Sequence, residues 1–158
     1  MYAPAQRVAV LVDIIFPGWV PFTELGVADF LPGLIAVHDV LLRFDFDVLV
    51  AGHVAQLSTQ HDVLQQKKYI EDLRDSCASV LNGDRTDGIG PTAAVSPGNV
   101  WAMPKALFRI AAQICADNTT SRWLGILGAV DVFAFENAYR MVNLLLIEYN
   151  VPGPFSVA

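Results

Sequence analysis

The sequence predicts an α/β fold with few strands in its first half, followed by a purely helical C-terminal part. Three observations carry this. Arg7 to Ile15 (RVAVLVDII) is a run rich in β-branched residues, the pattern of a buried strand rather than an alternating surface one. From Pro32 the spacing turns helical, with Leu34, Ile35, His38, Leu41 and Leu42 on one face, and a second short strand, Val48 to Ala51, comes soon after. Beyond residue 98 the apolar residues recur only at helical intervals.

Each element has its local signals. Pro17-Gly18 and Pro21 punctuate a loop after the first strand. Asp45 and Asp47 close the first helix and open the second strand. Separated by Phe46, their carboxylates are expected to point apart, which suits helix-end and turn chemistry rather than paired acid–base work. Ser58 or Thr59 caps a helix with the stripe Val63, Ile70, Leu73, Cys77 and Val80, and Lys67, Lys68, Glu71, Asp72 and Arg74 lie mostly on its wet side. Asn82-Gly83 ends it. Residues 82–98 hold four glycines and two prolines without a period, the signature of a long loop and an internal boundary. Pro104 suits the first position of a helix to about Ala116, and Ser121 to Gly128 reads as a short apolar helix. Asp131 then caps a long helix with the stripe Val132, Phe135, Tyr139, Val142, Leu145, Leu146 and Tyr149, ended by Asn150 to Pro154.

The chain thus divides into an α/β half-domain (1–81), a loop (82–98) and a helical extension (99–150) expected to pack on the same core. Strand–helix–strand implies one crossover between parallel strands. So small a sheet leaves an edge and a face that need cover, from a second copy or from a further strand.

Composition narrows the function classes. The 158 residues fit one domain, 54% of them apolar and only 16% charged, so some apolar surface is expected to be reserved for a partner subunit or a missing domain. The net charge is −6 and the basic residues are scattered apart from Lys67-Lys68, which argues against nucleic acid as a partner. The N-terminus makes a poor signal peptide, and Asp131, Glu136 and Arg140 interrupt the most apolar later stretches, so no membrane partner is expected and a cytoplasmic location is. Cys77 and Cys115 have no CxxC spacing and read as small buried hydrophobes. No phosphate loop, GxSxG elbow or HExxH occurs, which leaves little support for those enzyme classes.

Asp13 and His53 are the main candidates for chemistry. One sits near the end of the first strand and the other just after the second, where open α/β sheets gather their ligands. A carboxylate and an imidazole on one rim suit zinc, manganese or iron, but a catalytic zinc needs three protein ligands, and on spacing alone a structural role is favoured. His38, on an apolar helix face beside Asp39, reads as a hydrogen-bonded core residue, and His61 as a solvated or capping one. Phe16, Trp19, Phe22, Trp101 and Trp123 read first as core and second as the lining of a small-molecule pocket.

The segment VLVDIIFPGWVPFTELGVADFLPGLIAVHDVLLRFDFDVLVAGHVAQLSTQHDVLQQKKYIEDL resembles the C-terminal half of metallo-β-lactamase-fold hydrolases over about residues 7–75. Its markers are an Asp at a strand end, Asp13, an FPGW-like loop, and Gly52-His53 after the following strand. The stretches SPGNVWAMPKALF and LGAVDVFAFENAY resemble the helical extension of one subgroup. The resemblance implies half of an αβ/βα sandwich around a metal centre, with Asp13 as the carboxylate of the second metal and His53 as the last histidine. The HxHxDH motif that supplies most other ligands does not occur. The expectation is therefore a stand-alone half-fold that works as a homodimeric binding or interaction protein without hydrolase activity of its own. Two alternatives stay open: a metal-dependent hydrolase completed by a second copy or partner chain, with zinc or manganese bound only then, and a truncated product of no selected activity.

Overall fold

A computed structural model describes residues 1–82, 99 and 102–148. Within them the chain is mixed α/β and mostly helical. Strands β1 (Tyr2–Ala3), β2 (Val8–Val10) and β3 (Val48–Val50) form one sheet in the order β1-β2-β3. β2 and β3 run parallel, with Val8 opposite Val48 and Val10 opposite Val50, as the crossover rule requires. β1 lies antiparallel on β2 through Tyr2–Ala9 and Ala3–Val8, so a further strand covers one edge. The first strand is shorter than the run Arg7 to Ile15. Ladder hydrogen bonds continue from Leu11 and Asp13 to Val50 and Ala51, but Asp13 at φ 67° turns the chain away.

Besides a short 3-10 turn at Pro4–Gln6 between β1 and β2, five α segments lie among the described residues. α1 (Thr23–Val27) is a single left-handed turn, with φ between 54° and 68° at Glu24, Leu25 and Gly26. The amide of Asn137 holds it, accepting from the Leu25 N–H at 2.7 Å and donating to the Pro21 carbonyl at 2.8 Å. α2 (Leu31–Leu41) buries Leu31, Leu34, His38 and Leu41. α3 (Gln60–Asn82) begins just after Thr59, whose N–H and hydroxyl both donate to the Asp62 carboxylate, the half of a capping box in which the acidic side chain reaches back. Its buried face carries Val63, Gln66, Tyr69, Ile70, Leu73, Cys77 and Leu81.

α4 (Ala102–Trp123) is continuous, which corrects the expected break after Ala116. Asp117-Asn118-Thr119-Thr120 reads as a polar stop, yet Thr119 is fully buried and the Ser121 hydroxyl donates to the Asn118 carbonyl, so the turn stays helical. The separate helix expected over Ser121 to Gly128 is correspondingly the end of α4 and the turn after it. α5 (Val130–Glu148) places Asp131 in its first turn and leaves Val132 59% exposed, so Val132 is not part of the buried stripe. That stripe is rotated to Val130, Ala134, Asn137, Ala138, Met141, Val142, Leu144 and Leu145. The loop expected over 82–98 falls, after Asn82, outside the described residues, as do Trp101, Tyr149 and Asn150 to Pro154.

Two apolar cores result. The larger joins α2 and α3 to α4 and α5, drawing on Leu34, Tyr69, Leu73, Ala112, Cys115, Met141 and Leu145. The smaller lies between sheet and helices, where Ala9, Leu49 and Ala51 meet Leu41, Phe46 and Val63. Side chains alternate across a strand, so the other sheet face carries Val8, Val10, Val48 and Val50. None of these four belongs to either core. Val8, Val10 and Val48 are half-buried, Val50 is 39% exposed, and Val12, just beyond β2, is 52% exposed. Among the described residues, helices cover one face of the sheet, and the second carries these aliphatic side chains, half-buried at three positions and exposed at Val50. No helix among the described residues is long and apolar enough to cross a membrane.

Candidate functional site

The carboxyl ends of the two parallel strands bring Asp13 and His53 together. Asp13 follows β2 in the left-handed region, and His53 follows β3 through Gly52 at φ 107°. Asp13 Oδ1 and His53 Nε2 meet at 2.6 Å, with side chains 61% and 50% exposed. Gly52 is required twice over. Its φ suits a residue without Cβ, and a Cβ there would come within 2.7 Å of Val12 Cγ1 and 3.4 Å of Asp13 Oδ1. The close approach of the two loops, and so of the pair, depends on it.

Aromatic rings shape the surroundings. The Phe16 ring lies parallel to the His53 imidazole, centroids 5.9 Å apart, and Phe22 is tilted at 5.7 Å from it. Phe22 also touches Phe16, Trp19 and Phe133, which links the site to α5. The loop between β2 and α1 is fastened to the α4–α5 turn, since Gly128 N–H donates to the Gly18 carbonyl and Val20 N–H to that of Gly128. Trp123 packs instead on Tyr69, edge to face. Among the described members of that aromatic set, Phe16, Trp19 and Phe22 thus gather near His53 while Trp123 packs on Tyr69. An apolar cleft of about 350 Å³ lies elsewhere, at the sheet edge among Tyr2, Leu11, Val37, Val40, Leu41 and Phe44.

Beneath the pair sits a buried polar group that sequence reasoning missed. Gln66 of α3 accepts from the Phe16 N–H and donates to the Ile14 carbonyl, both at 2.7 Å. It also contacts His38 Nε2 at 3.1 Å, while His38 Nδ1 lies 2.7 Å from the Leu34 carbonyl. A carbonyl only accepts, so Nδ1 carries the proton and Nε2 accepts from Gln66. Burial sets the imidazole below its ordinary range; the Leu34 carbonyl opposes this and Lys67 reinforces it. A signal for Gln66 existed in the sequence: position 66 fills the gap between Val63 and Ile70 in the buried stripe of α3.

The remaining candidates lie away from the pair. His61 is exposed on α3. Asp45 and Asp47, expected to diverge, converge on Arg7: Asp47 accepts from Nε at 2.7 Å and Nη2 at 2.8 Å, and Asp45 binds Nη1. Arg7 enters β2 and Asp47 enters β3, so the cluster marks the opposite rim of the sheet and staples the strand starts. Cys77 and Cys115 are buried free thiols, and burial followed by the neighbouring Cys115 pushes the Cys77 thiol well up, away from nucleophilic use.

Asp13 and His53 offer a metal one carboxylate oxygen and one imidazole nitrogen. Among the described residues no group of three or more His, Cys, Asp or Glu side chains converges. The chain's own described donors therefore do not make up a catalytic zinc set. What the pair offers directly is a half-exposed donor–acceptor couple at the carboxyl rim of the sheet. Comparison of the chain with protein-family models, curated proteins and solved structures gives no match in any of the three.

Proposed function

We propose that this chain is a stand-alone half of a metallo-β-lactamase-like sandwich that works as a homodimeric binding protein, without hydrolase activity of its own. The observation that carries the reading is the aliphatic sheet face of Val8, Val10, Val48 and Val50, which joins neither apolar core among the described residues and leaves Val50, and Val12 just beyond β2, exposed. In a two-sheet sandwich such a face packs against the inner face of the other sheet, about 10 Å away. A second copy offers the same flat aliphatic surface, and a twofold axis makes that surface complementary to itself. The Asp13–His53 pairs then stand at the rim of the joint, where a ligand would meet both subunits. Sedimentation equilibrium at micromolar concentration tests this: a dimer is expected, and a monomer would contradict it.

A second reading is favoured by the 2.6 Å approach of Asp13 and His53. In it a metal-dependent hydrolase forms only when a second copy or a separate chain adds further ligands, with zinc or manganese as the ion. Equilibrium dialysis followed by elemental analysis checks the two-copy form. Uptake of one ion per dimer, lost in Asp13→Ala and His53→Ala, is expected from it, and no uptake removes it.

A further inference from the structure

We propose that His38 and Gln66 form an internal pH-sensitive latch that holds the segment under the Asp13–His53 pair in place while His38 is neutral and releases it when His38 takes up a proton. The geometry leaves each group one role. His38 Nδ1–H donates to Leu34, so the free lone pair on Nε2 accepts from the Gln66 amide. The same amide nitrogen donates to Ile14, and the amide oxygen accepts from Phe16. A protonated His38 would point an N–H at the Gln66 NH₂, donor against donor. Reversing the Gln66 amide would relieve that clash, but it would set oxygen against the Ile14 carbonyl and NH₂ against the Phe16 N–H. His38 is completely buried and Gln66 is 1% exposed, so water cannot stand in for the lost partners without opening the segment.

The segment leads to the site at both ends. Ile14 follows Asp13 directly, and the Phe16 ring is the one stacked on His53. The charged groups facing His38 are Lys67 and Glu71 of α3 and Asp39 of its own helix, and Lys67 is bound to both carboxylates. With the closed-state pKa lowered and the open-state value near 6.5, the open state takes up the proton first as the pH falls. Closure is therefore fully favoured above about pH 6.5 and weakens by up to about tenfold per pH unit below it.

Amide hydrogen exchange followed by NMR from pH 7.5 to 5.5, corrected for intrinsic rates, tests the latch. The Phe16 amide is expected to lose protection by up to about tenfold per unit below about pH 6.5, while the Val142 and Leu145 amides in α5 hold theirs. In His38→Leu the Phe16 profile should be flat. Should that variant fail to fold, the ring titration of His38 in the unaltered protein decides, because it must track the loss of Phe16 protection. The proposal is overturned if Phe16 protection is independent of pH, if the α5 amides lose protection in parallel, if His38→Leu keeps the dependence, or if His38 titrates with Phe16 unmoved.

Discussion

At the scale of single residues, the amide of Gln66 connects more chemistry than its place on a charged helix suggests. It satisfies a backbone donor, a backbone acceptor and an imidazole, all within the buried layer beneath Asp13 and His53. Replacing it by Leu keeps much of the volume but strands those partners. A loss of about 2–4 kcal/mol is expected, read as a lower urea midpoint at an unchanged slope. Asp13 and His53 were legible in the sequence because a strand end followed by a loop is where such side chains gather. Gln66 and Asn137 were not picked out, because an amide flanked by polar neighbours looks like wet-face filler until its position in the apolar stripe is counted.

At the scale of elements, the parallel pair β2–β3 and the positions of α2 and α3 follow from β-branched runs and helical spacing. β1 was out of reach, since two residues carry no period. The left-handed turn α1 was equally hidden: Thr23 to Val27 contains a single glycine, and tertiary contacts from Asn137 impose the conformation. That turn stores strain. Val27 is β-branched at φ 60° and 71% exposed, so it contributes little burial in return. Val27→Gly should remove about 1–2 kcal/mol of strain against about 0.4–1 kcal/mol of added unfolded-chain entropy. A net gain of about 0.5–1 kcal/mol is expected, visible as a higher thermal midpoint. A lower midpoint would mean that the side chain contributes more than its exposure indicates.

At the scale of the whole molecule, the sequence signalled surplus apolar residues and a sheet too small to cover itself. The structure places part of that surplus on one surface. Among the described residues β1 protects an edge, helices cover one sheet face, and the valines of β2 and β3 lie on the other, half-buried at Val8, Val10 and Val48 and exposed at Val50. Burying an apolar side chain contributes about 25 cal/mol per Å² removed from water, so such a face is a driving force in search of an occupant. The occupant we propose is a second copy of the chain. The direct test is sedimentation equilibrium of the unaltered protein beside a Val10→Lys/Val50→Lys variant, with circular dichroism to show that both are folded. A dimer for the unaltered chain and a folded monomer for the variant is the result expected; a monomer in both, or a dimer that survives the two lysines, would contradict the sheet-face assembly.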